Sequence, residues 1–326
     1  MGKYLVTGGA GYIGGVCVEE MIKRGDSVVI VDNLSTGRKE NVHQGAVFYQ
    51  GDVGDMRLMD KVFTEHQVEV VLHFAALALV GESVKDPGKY FQNNLAQGLN
   101  LLDSMRRNGV DKIIFSSTCA TYGIPEKVPM DEATPQKPIN AYGESKLMLE
   151  KVIKWYHSAY SMKYTFFRYF NACGATSQSL EMHEPETHLI PLVFDAATEK
   201  RKNITVFGTD YKTPDGTCRR DYIHVLDLID AHLRAIDYMN QSFANEFNLG
   251  TGKGYSVMEV IEAVKKVTGK DIPMVLGERR PGDPDSLVAK ADKAMNELGW
   301  QPTHSSLDQI VESVWKAVQS PPKNKA

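Results

Sequence analysis

What the chain lacks removes several readings at once. It has only four cysteines in 326 residues, Cys17, Cys119, Cys173 and Cys218, far apart and without a Cys-x-x-Cys pair or a histidine at partner spacing. Neither a disulfide framework nor a zinc site is indicated, and free thiols in a reducing cytosol are expected. No apolar run approaches the length of about 18 residues that a bilayer requires. The first strand-like run begins at residue 3, which leaves no room for a signal peptide, so a cytoplasmic protein with no membrane partner is expected. Charge of one sign is not in excess either. Lys and Arg number 37 against 41 Asp and Glu, a net charge of -4, which offers no electrostatic reason to expect nucleic acid. Repeats and low-complexity tracts are missing apart from a polar tail over residues 321–325, expected to fray. At 42% hydrophobic and 24% charged, the remainder is ordinary globular composition, with length for one large domain and a smaller one.

What is present begins with an apolar run over residues 3–7, the turn Gly8-Gly9-Ala10-Gly11-Tyr12-Ile13-Gly14, and a helical pattern through Val18, Met21 and Ile22. Gly8 permits the tight turn, Gly11 lets backbone approach a pyrophosphate, and Gly14 allows close packing of helix on strand. The next strand, residues 28–31, ends in Asp32, near the spacing at which a carboxylate accepts ribose hydroxyls. A carboxylate there repels a 2′-phosphate and no arginine follows directly, so NAD is expected over NADP. Further strands are predicted at 46–50, 68–74, 112–115 and 164–169, and helices at 56–66, 87–108 and 142–160. This alternation predicts an α/β fold, a doubly wound parallel sheet of Rossmann type, with ligands at the carboxyl ends of the strands. Those ends are Gly8, Asp32, Gly51-Asp52, Phe74-Ala75-Ala76, Ser116-Ser117-Thr118 and Asn171. Past residue 172 the alternation weakens and Pro and Gly become frequent. A dinucleotide-binding domain over 1–172 and a smaller substrate domain over 173–326 are expected, with a helix at 221–239 and a strand at 247–250 returning to the first.

Tyr142 and Lys146 lie four residues apart, on one face of the helix that carries them. An ammonium near a phenol favours the phenolate. Bringing a tyrosine of pKa about 10 near neutrality takes roughly three units, about 4 kcal/mol, which Lys146 and a cationic cofactor ring together could supply. Among the arginines, Arg220 and Arg280 suit a diphosphate, whose charges fork-shaped guanidinium groups bind well, while Arg219 and Arg279 are expected to face water. His73, His183, His188 and His224 read as structural, and no metal is expected.

Taken in order, the glycine turn, Asp32, Gly51-Asp52, Ser116-Ser117-Thr118, Tyr142-x-x-x-Lys146 and Arg220-Asp221-Tyr222-Ile223-His224 resemble the extended short-chain dehydrogenase/reductases. More narrowly, Gly81-Glu82-Ser83, Arg168-Tyr169-Phe170-Asn171, Phe207-Gly208-Thr209-Asp210-Tyr211 and residues 279–283 resemble the UDP-glucose 4-epimerase family. The resemblance implies a tightly held NAD that is reduced and reoxidised within one turnover, a UDP-sugar across the domain cleft, and a homodimer packed through the tyrosine-bearing helix and the one before it. It further implies that Tyr142 is the base, aided by Lys146 and by Thr118 on the sugar 4-oxygen, and that UDP-glucose and UDP-galactose interconvert through a 4-keto intermediate. By the same likeness Tyr12, Ile13, Asn33, Asp52, Val53, Phe74, Ala75, Ala76, Asn94 and Phe170 join the cofactor site. Asn171, Leu189, Phe207, Arg220, Arg280, Asp283 and Leu287 join that of the nucleotide sugar. Related dehydratases place an Asp-Glu pair after the threonine, where this chain has Cys119 and Ala120, so epimerisation is favoured. A nonenzymatic NAD sensor is disfavoured because Tyr142, Lys146 and Thr118 are all retained. Two departures bear on substrate. Ala78 replaces a lysine found near the cofactor ribose in some relatives, which removes a cationic contact and is expected to loosen NAD retention; Leu287 replaces a tyrosine beside the sugar, which makes the pocket roomier, so N-acetylated UDP-hexoses are also expected to turn over, and a uronate or pentose is left open by the residues alone.

Overall fold

Adjacent residues of the central strands bury their side chains on opposite sides of one sheet. Leu5, Val29, Val71 and Ile113 enter one apolar core while Val6, Ile30, Leu72 and Ile114 enter another, as the two-residue period of a strand covered on both faces requires. The computed structural model describes residues 2–241, 244–280 and 282–320; the 321–325 tail and Pro281 lie outside them. In chain order the first half comprises β1 (Lys3–Thr7), α1 (Tyr12–Lys23), β2 (Ser27–Asp32), β3 (Val47–Gln50), α2 (Met56–His66), β4 (Val70–His73), α3 (Val80–Lys85), α4 (Pro87–Tyr90), α5 (Gln97–Arg107), β5 (Lys112–Thr118), α6 (Ala141–Tyr160) and β6 (Lys163–Tyr169). The second comprises β7 (Asn171–Cys173), α7 (Leu189–Ala197), β8 (Ile204–Phe207), β9 (Arg219–His224), α8 (Val225–Tyr238), β10 (Ala244–Leu249), β11 (Gly254–Ser256), α9 (Val257–Thr268), β12 (Met274–Gly277), β13 (Ser286–Leu287), α10 (Asp292–Leu298) and α11 (Leu307–Gln319).

Seven strands form one parallel sheet in the order β10-β6-β5-β4-β1-β2-β3, so the chain reverses direction across the sheet between β1 and β4. This is the Rossmann-like doubly wound arrangement, whose ligand crevice opens at such a switch. On one face α1 and α8 pack with Val16, Met21, Leu228 and Ile236; on the other, α2, α5 and α6 pack with Met59, Val62, Leu101, Met105, Leu149 and Ile153. A third core joins α7, α9 and α11 through Ile190, Val193, Ile261, Val264, Val311 and Val314. No helix among the described residues is long and apolar enough to cross a membrane.

Three elements depart from the sequence reading. β5 runs on to Thr118, because its polar end finds buried partners: Ser116 Oγ lies 2.7 Å from the Tyr169 hydroxyl and Ser117 Oγ donates to Glu150 at 2.5 Å. The helix expected over 87–108 is interrupted by a π-helical stretch at Phe91–Ala96. Residues 221–224 are strand, not helix, since β9 pairs with β7, β11 and β13.

Candidate active site

The glycine turn is shaped by contact. Gly8 has φ +75°, and a Cβ there would lie 2.7 Å from the Ala75 amide nitrogen; on Gly14 it would lie 2.2 Å from the Gly8 carbonyl oxygen. The start of α1 is therefore pressed onto the ends of β1 and β4. Gly11 is its N-cap and no side chain caps it, so the first-turn amides of Tyr12, Ile13 and Gly14 keep their positive dipole end for an anion. Asp32 closes β2, with Oδ2 accepting from Ala10 N at 3.0 Å and Oδ1 from Leu34 N at 2.8 Å. Burial raises its pKa while these two amides oppose the shift. Each oxygen keeps a lone pair for a further donor. Amides for a diphosphate beside a carboxylate for ribose hydroxyls fit a dinucleotide.

Other predicted cofactor residues are placed unequally. Asn33 Nδ2 donates to Asp52 Oδ1 at 2.7 Å, Val53 is buried in the core under α2, and Ile13 packs on the core beneath α1. The Tyr12 side chain points inward, donating to Gly174 O at 2.7 Å, so only its backbone faces the turn. Phe74, next to Ala75 and Ala76, packs its ring 5.0 Å from that of His232. Asn94 is buried with its amide committed. Its Oδ1 accepts from Leu77 N at 2.9 Å, and its Nδ2 donates to Leu77 O and to Ser145 Oγ, both at 3.0 Å. It ties the loop after β4 to α6 from the π-helical stretch, a common position for such irregularity at functional sites. Phe170 is buried in a small cluster with Cys119, Tyr122, Met130 and Ala289, against which Leu287 packs.

Tyr142 and Lys146 stand in the first turns of α6, which Asn140 caps through Gly143 N at 2.8 Å. A Cβ on Gly143 would lie 2.5 Å from Ala120 O, so glycine allows the helix to begin against the turn that follows β5. There the Tyr142 hydroxyl lies near Thr118, which favours its ionisation. Desolvation pushes the Tyr142 pKa up to about 12, opposed by Thr118. The lysine is itself buried, donates to Ser116 O at 2.8 Å and lies 4.9 Å over the Phe115 ring. Burial pulls its pKa down to about 7, with Glu150 opposing.

Behind Lys146 the polar contacts continue. His232 Nδ1 faces Leu228 O at 2.9 Å, which can only accept, so Nδ1 carries the proton and Nε2 accepts from the Tyr169 hydroxyl at 2.5 Å. The Tyr169 oxygen then accepts from Ser116 Oγ. Burial holds His232 down to about 4 and therefore neutral at pH 7. On the α6 face of the sheet, Glu150 receives Arg168 through both oxygens, at 3.1 and 2.8 Å, with both side chains buried. Sequence reasoning passed over Glu150, Tyr169 and His232 as functional supports. A signal existed for Glu150, which follows Lys146 at the same four-residue spacing on the face of α6.

The predicted sugar-nucleotide residues gather on β7, β8, β9 and the loop before β13. Arg220 pairs with Asp283, whose other oxygen accepts from Tyr211 at 3.0 Å. Arg280 covers the Phe207 ring at 4.3 Å. Arg279 is exposed, as expected, while covering Tyr211 at 4.0 Å and pairing with Asp285 at 2.7 Å; Arg219 is half-buried and donates to Gly254 O. Leu287 stands opposite Arg220 in the pairing of β13 with β9, Asn171 stands opposite Tyr222 in that of β7 with β9, and Leu189 opens α7. Cys119 joins the two halves, because its thiol lies near enough to feel Arg220 and is felt by Tyr142. Burial pushes that thiol up to about 12, leaving it neither nucleophile nor acid at neutral pH.

Comparison with known proteins agrees with this arrangement. Residues 4–250 match the NAD dependent epimerase/dehydratase family. The chain is 49% identical over 324 residues to a UDP-glucose 4-epimerase of Lactobacillus helveticus, covering 98% of each. A crystal structure of a UDP-glucose 4-epimerase superposes with TM-score 0.95 at 47% identity, covering 98% of each chain. That of the UDP-glucose 4-epimerase from Bifidobacterium longum, in complex with NAD+ and UDP, superposes with TM-score 0.92 at 40% identity over 98% of this chain and 99% of that one. The chain thus belongs to the NAD dependent epimerase/dehydratase family.

Proposed function

We propose that this protein interconverts UDP-glucose and UDP-galactose by transient oxidation at sugar C4, turning of the 4-keto sugar in the pocket, and return of the hydride to its other face. The observation that carries the reading is Tyr142, whose hydroxyl lies near Thr118 at the carboxyl end of β5, on the same edge of the parallel sheet as the glycine turn after β1 and Asp32 at the end of β2. NAD held at that turn supplies a hydride acceptor and a positively charged ring. Tyr142 takes the proton from the 4-hydroxyl and later gives it back, while Thr118 hydrogen-bonds the same oxygen. Lys146, fixed by Ser116 O, serves the ribose hydroxyls and the charge balance around the phenol. Arg220 and Arg280 hold the diphosphate, Phe207 and Leu189 flank the nucleotide, and Asn171, Asp283 and Leu287 border the sugar. A dehydratase reading is opposed by Cys119 and Ala120, neither of which can serve as a second acid or base. Leu287 leaves room for an N-acetyl group, so UDP-N-acetylglucosamine is expected to turn over more slowly beside the hexoses.

The protein would work in the cytoplasm as a homodimer. Support for the dimer lies on α6, where Trp155 is 75% and Tyr160 54% exposed, aromatic surface that a solvent-facing helix seldom presents. Purified protein given UDP-galactose without added cofactor should form UDP-glucose, followed by proton NMR. Its failure to do so when NAD is demonstrably bound would overturn the proposal.

A further inference from the structure

The segment leading into α7 carries a side-chain cluster that the epimerase chemistry does not use. Glu181, His183 and His188 bring one ligand atom each to within 4.8 Å of one another. Glu181 Oε1 is 3.5 Å from His183 Nε2 and 3.2 Å from His188 Nδ1. A tetrahedral ion with bonds of about 2.1 Å sets neighbouring ligand atoms about 3.4 Å apart, so two of the three separations already match. Glu181 is only 7% exposed, and among the described residues its polar partners are these two imidazoles, with no lysine or arginine. Burying a carboxylate without a cation is costly.

The proton count points the same way. One oxygen of Glu181 is faced by two imidazole nitrogens, and His188 Nδ1 faces a second carboxylate as well, Glu186 Oε1 at 2.8 Å. A single N–H cannot satisfy two carboxylates, whereas one cation bound by the nitrogen can balance both. Glu186 meanwhile accepts from the backbone amides of His183, Thr187 and His188 at 2.8 to 3.1 Å, which fixes the loop around the cluster. Because Glu186 Oε1 faces the same Nδ1 that would bind the ion, it stands beside the cation as a second carboxylate that the positive charge balances.

We propose that Glu181, His183 and His188 bind one divalent transition-metal ion, with the mixed nitrogen and oxygen donors selecting zinc over magnesium or calcium, and with a water completing the set. The ion pins the 181–188 segment where it meets the glycine-turn helix, since Glu181 lies close enough to the Tyr12 phenol to raise its pKa. Its role is structural: hydride transfer needs none of these three residues.

The test is metal binding by the purified, NAD-loaded protein after chelator treatment and dialysis. Zinc content by plasma mass spectrometry should reach one equivalent per chain. Cobalt should bind at the same stoichiometry and give visible bands of a tetrahedral site without thiolate charge transfer, which separates this site from Cys218. Glu181→Gln and His183→Ala should each weaken binding at least tenfold with circular dichroism and NAD content unchanged; His183 is half-exposed, so its loss leaves the fold intact. Substoichiometric zinc in the wild type, a thiolate band, or equal binding by the wild type and His183→Ala would overturn the proposal.

Discussion

At the scale of single residues, the proposed base is the phenol of Tyr142, and burial opposes its ionisation. A pKa near 12 leaves it neutral at pH 7 in the protein alone, so the proton is held until a positive charge enters the site. Tyr142→Phe should lower kcat by about 10²–10⁴-fold, the range of a lost general acid-base group. The bound dinucleotide should remain, read by its release on denaturation. Near-normal turnover would remove Tyr142 from its assigned role. The placing of Tyr142 and Lys146 on one helix was legible from their four-residue spacing, but the acceptor that the ammonium meets was not. Spacing places two side chains on one face, whereas the Lys146 ammonium is drawn to the Ser116 carbonyl, an acceptor on a strand that only the tertiary fold brings near.

At the scale of elements, α6 is fastened to β5 and β6 by the Glu150 and Arg168 pair, with Ser117 and Gln136 completing the carboxylate's bonds. Removing one charge of a buried pair strands the other. Glu150→Gln should therefore cost about 3–5 kcal/mol of stability, measured by urea unfolding. Loss of the half-exposed Lys154–Glu246 pair should cost less, about 1 kcal/mol. Equal, small effects would show that the buried pair is not what holds the helix. The alternation of strands and helices was plain in the sequence because apolar runs and glycine turns are local signals. The polar end of β5 and the β9 strand were hidden for the opposite reason. Ser116 and Ser117 are strand residues because each meets a buried partner, 53 and 33 residues away.

At the scale of the whole molecule, several histidines are buried in neutral form. Burial pushes His73 down to about 3, and His224 and His232 to about 4. Unfolded histidine titrates near 6.5, so between that pH and about 4 the unfolded chain binds protons that the native state refuses. Stability present above pH 6.5 should be lost as the pH falls toward 4, by up to about 3 kcal/mol for His232 alone. Thermal unfolding should record a midpoint that drops across this window, with a shallower slope in His232→Gln. A midpoint independent of pH there would contradict the assignment of neutral buried imidazoles.

The central claim is that hydrogen leaves C4 as hydride, stays within the protein, and returns to the same carbon. The most direct measurement is conversion of UDP-galactose in deuterium oxide, with the product read at C4 by NMR. The account predicts UDP-glucose with protium retained at C4 through many turnovers. Deuterium at that carbon would mean removal as a solvent-exchanging proton and would contradict it.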